Sequence, residues 1–262
     1  MNLPSFSHSI ASWHILEPIQ GIVPLSQYAF SPVAGVREIV RLCQEAKKYG
    51  FGAVCVNPSY VAVCKKELEY SNVKICTVVG FPLGAITTQD KVSETVNAVI
   101  NGADEIDMVI NLGAVNDCRF GEVELDIAAI TEEAHFTGSK LGKKIIVKVI
   151  LETCYLTDNI IDTCCLCAKR AGADFVKTST GFATPKGSDG NLLPNGASVH
   201  CVELMRKVVG PDFGVKASGG IRTARKTVDM LMAGANRIGT SSGIMILNTW
   251  DESVIIPGYD DK

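Results

Sequence analysis

Short apolar runs alternate with amphipathic stretches along most of this chain. Seven runs read as buried strands, near residues 53–57, 73–79, 105–110, 145–151, 174–178, 213–217 and 236–240. Helical periodicity fills the gaps between them. Residues 88–100 place Val92, Val96 and Val99 on one face and open on Thr87 and Asp90, a start resembling a capping box. Further helices are predicted near 122–135, 158–170, 197–209 and 223–233. A local motif punctuates the alternation: helix, then Gly-Ala plus a polar residue, then strand. It occurs as Gly102-Ala103-Asp104, Gly172-Ala173-Asp174 and Gly234-Ala235-Asn236, with a looser version at Gly50–Ala53. Glycine suits the residue after a helix because it tolerates the left-handed conformation, and alanine lets helix and strand approach closely.

An eighth strand is expected near residues 10–16. Eight parallel strands alternating with helices over this length predict a (β/α)₈ barrel, with an open doubly wound sheet as the alternative. No linker or composition break divides the chain, so 1–262 is expected to be one domain, with 251–262 as a tail.

Composition narrows the picture little. The chain has 262 residues, 47% hydrophobic and 20% charged, as in an ordinary globular protein. A net charge of -3 gives no bulk attraction to nucleic acid or acidic membranes. No apolar run reaches a membrane span, and residues 1–14 lack the layout of a secretory signal, so a cytoplasmic location is expected. There are ten cysteines. The densest group, Cys164, Cys165 and Cys167, has no second pair at zinc spacing, and His8, His14, His135 and His200 complete no such pattern. The cysteines therefore read as small reduced hydrophobes, with Cys118 and Cys154, near loop-like segments, as the candidates for reactivity. No metal is expected. Trp13 and Trp250 read as packing residues.

The chemistry lies in three lysines placed inside the apolar runs: Lys148 in IIVKVIL, Lys177 in DFVKTSTG and Lys216 in FGVKASGG. An ammonium is rarely buried without cause. Burial and a second nearby cation both favour the neutral amine, which can attack a carbonyl and form a Schiff base. Lys177 and Lys216 fall on consecutive strands, which lie about 4.8 Å apart. At about 5 Å and an effective dielectric of about 20, their repulsion is roughly 3 kcal/mol, or about two pKa units. The alternative is that one of them points outward and snorkels between helices. Alternation puts Glu105, Asp107 and Val109 on one face. Asp107 is then either a proton-moving carboxylate or a structural ion-pair partner, and Lys148 either belongs to the network or pairs with Asp107. Two glycine-rich segments, Ser218–Arg222 and Gly239–Gly243, follow the seventh and eighth strands, the usual phosphate site of such barrels. Together they indicate a phosphorylated substrate.

At these residues the chain closely resembles the deoxyribose-phosphate aldolase family, class I aldolases built on a (β/α)₈ barrel. The resemblance spans about residues 36–245. It rests on EIDMVINLGAV (105–115), VKVILET (147–153), FVKTSTGF (175–182), VKASGGIR (215–222) and RIGTSSG (237–243), supported by Cys55–Pro58 and Val79–Gly84. FVKTSTG and VKASGGI together are highly specific. The resemblance implies that Lys177 forms the Schiff base, Lys216 lowers its pKa and Asp107 shuttles protons, with Lys148 in the surrounding network. It also implies phosphate binding by Gly181, Gly219, Gly220, Gly239, Ser241 and Ser242. The implied reaction is cleavage of 2-deoxy-D-ribose 5-phosphate to glyceraldehyde 3-phosphate and acetaldehyde, without metal or organic cofactor. Barrels of this kind often form homodimers, although no pairing face can be read from the sequence.

Two departures stand out. The family's Asp-His-Thr-like first strand finds its best match here in Ser12-Trp13-His14, without the acidic residue or the threonine. Where some members have a basic residue after Gly181, this chain has Phe182, which removes one phosphate contact. In some members a C-terminal tyrosine enters the site. Tyr259 is the candidate here, with a disordered tail as the alternative. Two other functions stay open at this level: a related Schiff-base aldolase using another aldehyde pair, and a phospho-sugar-binding barrel without turnover.

Overall fold

The computed structural model describes residues 25–250. Its strands are β1 (Leu25–Ala29), β2 (Ala53–Val56), β3 (Lys74–Val79), β4 (Glu105–Val109), β5 (Ile146–Ile150), β6 (Phe175–Lys177), β7 (Gly214–Ser218) and β8 (Arg237–Thr240). Each pairs in parallel with its chain neighbours, and β8 returns to β1, closing a barrel. The helices are α1 (Val36–Tyr49), α2 (Val61–Glu67), α3 (Thr88–Asn101), α4 (Leu112–Asn116), α5 (Phe120–Lys140), α6 (Asp158–Arg170), α7 (Val199–Val209), α8 (Ala224–Met232) and α9 (Gly243–Asn248). This is a (β/α)₈ barrel. The open doubly wound sheet is excluded by the β1–β8 pairing.

The first strand corrects the sequence expectation. It is Leu25–Ala29, in register with β2 from Ser26↔Ala53 to Ala29↔Val56 and with β8 from Leu25↔Ile238. Residues 10–16, where it was expected, lie outside the described residues. The segment LSQYA has no apolar run because Ser26 and Tyr28 take its inward positions, leaving little for a hydrophobicity pattern to detect.

The Gly-Ala-polar motif carries more than helix termination. Gly102, Gly172 and Gly234 have φ of 121°, 75° and 105°, and the alanines behind them are buried. The polar residue then ties each strand to the one before it. Asp104 accepts a hydrogen bond from the Ile75 N–H at 3.0 Å, Asp174 from Val147 at 2.8 Å and Asn236 from Val215 at 2.8 Å. The motif thus pins β4 to β3, β6 to β5 and β8 to β7 at the N-terminal rim. Side-chain caps start four of the helices: Thr87, Asn111, Ser198 and Thr223 accept from the N–H groups of Asp90, Ala114, Cys201 and Lys226.

The strands divide their side chains between two environments. Ile106, Met108, Val147, Val149, Val176, Val215, Ala217 and Ile238 join the apolar layer shared with the helices. The alternate positions point into the barrel. On β2 and β3 these are Ala53, Cys55, Cys76 and Val78, packed against Tyr28, Phe30 and Phe81. On β4 to β7 they include Glu105, Asp107, Lys148, Lys177 and Lys216, and that half of the barrel holds the chemistry. Trp250 packs against the helical layer, as read from the sequence, whereas Trp13 lies outside the described residues.

Candidate active site

Register brings the charged residues together. Asp107 pairs with Lys148 across β4 and β5, and Lys177 with Lys216 across β6 and β7. All three lysines and Asp107 are fully buried, so neither Lys177 nor Lys216 snorkels outward. Both Nζ atoms reach the same carboxylate oxygen, Asp107 Oδ2, at 2.7 Å. Lys148 Nζ takes the other oxygen at 2.9 Å and also lies 2.7 Å from Glu105 Oε2. Arg237 from β8 pairs with Glu105 at 3.0 Å. Four cations, three of them fully buried, therefore face two carboxylates, a surplus of two positive charges when all are ionised.

The electrostatics correct the expectation of a lysine that is neutral at rest. Burial, the largest effect, pushes Lys177 down and Lys216 repels it, but Asp107 together with Tyr28 and Cys55 holds the amine above its ordinary value. Lys216 likewise stands well above the usual lysine range, since Asp107, Tyr28, Cys76 and Cys55 together overcome its burial. Asp107 pays for its own burial through the three ammoniums, which keep its carboxyl well below the usual range. The repulsion read from strand spacing is present. What spacing could not show is a carboxylate seated between the two amines.

Cys55, Cys76 and Asp107 bring potential ligand atoms within 4.8 Å of one another. The donor set does not fit a cation. Three ammoniums already occupy the Asp107 oxygens, and a metal ion there would be repelled by each of them. Burial also pushes the Cys76 thiol well above its ordinary pKa. Seven of the ten cysteines are buried, as expected for small hydrophobes. Cys118 is exposed, but Cys154 is half-buried, and burial next to Glu152 pushes its thiol up to about 11, which corrects the expectation of reactivity.

Above the charged cluster, at the C-terminal ends of the strands, lies a cavity of about 310 Å³. Gly181, Gly219, Gly220, Gly239 and Ser241 line it, so five of the six expected phosphate-binding residues converge there. Ser242 lies one residue beyond the lining, and its N–H is donated to Thr240 Oγ1 at 2.9 Å. Arg222 adds a positive charge to the lining, and the Lys226 ammonium lies beside Gly220. Part of the wall is aromatic: Tyr28, Phe30 and Phe182 line the cavity, and with Phe81 behind them they form a chain of rings with centroids 5.0 to 6.4 Å apart. Phe182, noted in the sequence as the loss of a basic contact, belongs to this wall. Tyr259 lies outside the described residues.

Four residues near the site were not singled out from the sequence. Glu152, in the left-handed region at φ 56°, is buried at the end of β5 and accepts hydrogen bonds from the Thr180 N–H and hydroxyl. It thereby fixes the loop bearing Gly181. Burial raises its carboxyl above the ordinary value. Lys91, read only as part of an amphipathic helix, is fully buried. It bonds the Val109 carbonyl at 2.9 Å and Asp126 at 2.6 Å, anchoring the end of β4. Tyr28 and Arg222 complete the set. Glu152 and Arg222 lay within motifs that could have marked them, VKVILET and VKASGGIR.

Comparison with known proteins agrees with this geometry. Residues 21–251 match the DeoC/LacD family aldolase model. A deoxyribose-phosphate aldolase of Thermococcus kodakarensis is 51% identical over 225 residues, 85% of this chain and 93% of that protein. One from Aciduliprofundum boonei is 52% identical over 212 residues, 81% and 88% of the two chains. Among solved structures, the tetrameric deoxyribose phosphate aldolase of Aeropyrum pernix superposes with a TM-score of 0.75 at 33% identity, covering 86% of this chain and 88% of that one. A barrel that buries paired lysines on β6 and β7 beneath a glycine-lined cavity, matched by a family model along nearly its full length, leaves one assignment: the chain belongs to the DeoC/LacD family of aldolases.

Proposed function

We propose that this protein cleaves 2-deoxy-D-ribose 5-phosphate reversibly to D-glyceraldehyde 3-phosphate and acetaldehyde through a Schiff base on Lys177. One observation carries the reading: Lys177 and Lys216 share Asp107 Oδ2, directly below a cavity whose glycine-rich wall suits a phosphate. In this reading Lys177 rests charged and becomes a free amine when Asp107 turns to the substrate, the cluster's surplus positive charge then favouring loss of one proton. It attacks C1 of the open-chain sugar. Loss of water yields an iminium, which draws electrons from the C2–C3 bond as the C3 hydroxyl gives up its proton, with Asp107 as the acceptor through a water. Glyceraldehyde 3-phosphate leaves, the enamine is protonated at C2, and hydrolysis frees acetaldehyde and Lys177. The iminium is the electron sink, so the chemistry needs no metal or organic cofactor. Gly181, Gly219, Gly220, Gly239 and Ser241 would hold the phosphate, with Arg222 supplying charge, and Lys148 would keep Asp107 ionised.

The same reading gives the protein a place in the breakdown of deoxyribonucleotide-derived sugars in the cytoplasm. Among the described residues no helix is long and apolar enough to cross a membrane, which is compatible with that location. Residues 1–262 would act as one domain. Self-association, expected as a homodimer, draws on the precedent of the tetrameric Aeropyrum pernix relative. The decisive experiment is borohydride reduction in the presence of deoxyribose 5-phosphate, followed by peptide mass mapping. The expected result is an adduct on the Lys177 peptide that is absent from Lys177→Ala. A folded wild-type protein that forms no such adduct overturns the proposal.

A further inference from the structure

We propose that Glu105 and Arg237, paired at the end of the barrel opposite the cavity, are positioning residues that govern the charge on Lys177 through Lys148 and Asp107. The inference rests on the Schiff-base reading of Lys177. Glu105 opens β4 and Arg237 opens β8, so both sit at the N-terminal ends of their strands. Neither lines the cavity, so neither touches a substrate held there. Arg237 lies beside Lys216 in the β7–β8 register and crosses to Glu105 at 3.0 Å. Glu105 in turn stands 2.7 Å from Lys148, whose ammonium also contacts Asp107 at 2.9 Å. Asp107 then meets Lys177 at 2.7 Å. A continuous row of alternating charges thus runs from Arg237 to Lys177.

Hydrogen bonding does not account for the pair. Glu105 Oε2 and Arg237 Nη1 are buried without a hydrogen-bond partner among the described residues. Unsatisfied buried polar atoms cost stability, so what the two groups contribute here is charge. Lys148 divides itself between two carboxylates. Without Glu105 it would rest on Asp107 alone, leaving less of that carboxylate's field for Lys177. Without Arg237, Glu105 would draw Lys148 more strongly and leave Asp107 more fully to Lys177. The direct Coulomb effects have the same signs: Glu105 favours an ammonium at Lys177, and Arg237 disfavours it.

The other groups facing the two ends stay in place. Around Lys177 they are Lys216 from β7, Cys55 from β2, Glu152 after β5 and the Tyr28 ring from β1, whose centroid is 5.0 Å from the Lys177 Nζ. Around Glu105 they are Lys148 from β5 and Lys216 from β7. Lys148 lowers the Glu105 carboxyl more than Arg237 does, so it remains to keep Glu105 ionised when Arg237 is removed. Two residues along a strand span about 6.6 Å, which puts Glu105 roughly 8 Å from Lys177 Nζ. At about 8 Å and an effective dielectric of about 20, one unit charge moves a titration by about 1.5 pH units. Below the titration point, each pH unit is about tenfold in free amine.

The test measures cyanoborohydride trapping of acetaldehyde between pH 6 and 8, by intact mass and mapping to Lys177, in wild type, Glu105→Gln, Arg237→Met and the double variant. The amine adds to the aldehyde and water leaves. The resulting iminium takes hydride from cyanoborohydride to give a stable secondary amine. Each rate constant is read against its own adduct plateau, so a misfolded fraction drops out. Glu105→Gln should trap about tenfold faster than wild type, and Arg237→Met about fivefold slower. The double variant should return to within about threefold of wild type, because the two charges cancel. Glu105→Asp and Arg237→Lys keep the charges and should stay in the same range. Structural damage would instead slow both single variants and add in the double one. Single variants of opposite expected sign keep the test decisive if one of them fails to fold. Single variants that shift in the same direction overturn the inference, as does a folded one that stays within about twofold of wild type. Wild type that traps no acetaldehyde on Lys177 would instead sink the Schiff-base reading, and the inference with it.

Discussion

Replacing Asp107 with asparagine should separate formation of the Schiff base from turnover. The substitution keeps the shape of the side chain and removes one negative charge that contacts two ammoniums at 2.7 Å and a third at 2.9 Å. A unit pair at 2.7 Å in an effective dielectric of about 20 is worth roughly 6 kcal/mol, or about four pKa units. In wild type this attraction is the largest of the effects, with Tyr28 and Cys55, that hold Lys177 above its ordinary value against burial and Lys216. Without it, both opposing effects act unchecked, and Lys177 should be a free amine near neutrality. Cyanoborohydride trapping of acetaldehyde at pH 6 should therefore be at least about tenfold faster in Asp107→Asn than in wild type. Cleavage of deoxyribose 5-phosphate should fall by roughly 10²–10⁴, the usual worth of a positioned acid or base.

Stability supplies an independent sign. A lysine held above its unfolded value contributes stability that is complete below that value, about 10.4, and is lost as pH rises through the folded value. A lysine pushed below the unfolded value does the reverse: the unfolded chain binds the extra proton, so stability rises with pH. Wild type should thus lose stability from this group only in strong alkali, whereas Asp107→Asn should be more stable at pH 9 than at pH 6. Thermal melts across that range measure the slope. Slower trapping at pH 6 in a folded Asp107→Asn protein would refute the reasoning, because it would mean the carboxylate generates the free amine rather than restraining it.

Three further perturbations follow from other parts of the barrel. Arg222→Ala removes the charged side chain from the cavity lining and should raise KM for the phosphorylated sugar about tenfold, while leaving cleavage of unphosphorylated deoxyribose unchanged; steady-state kinetics on both substrates tests it. Asn236→Ala leaves the Val215 N–H without its side-chain acceptor and should cost about 1–3 kcal/mol in urea unfolding, with little effect on trapping at Lys177. Gly84→Ala puts a methyl group into the Ile110 carbonyl at a backbone φ of 68°, and should lower Tm by more than Asn236→Ala does.

The barrel was legible where the chain repeats itself. The Gly-Ala-polar motif marked the joints before β4, β6 and β8, and each apolar run became a strand within a residue or two of its expected limits. Helix α5 extends to Lys140 beyond the expected end near 135, because buried Thr137 and Gly138 continue its inner face with residues of low hydrophobicity. The first strand was illegible for a related reason. Its inward residues, Ser26 and Tyr28, serve the site rather than the core, so the alternation that signals a strand was missing where function had replaced it. Lys91 was misread in the opposite sense, since a lysine on an amphipathic helix is ordinarily solvated.

The same contrast explains the site. Lysines inside apolar runs are visible as anomalies, and neighbouring strands imply that they repel. The sign of the net field, however, depends on Asp107, which is 70 residues from Lys177 and 109 from Lys216 in the chain and reaches both only through barrel closure. Spacing along the chain supplies the repulsive half of the balance and register supplies the attractive half. A site that rests with Lys177 charged and shielded by Tyr28, yet holds two surplus positive charges, releases a proton readily once its carboxylate is engaged elsewhere. In the proposed reaction the amine would then meet a carbonyl and not bulk water, which is the condition an imine needs to persist until its C2–C3 bond breaks.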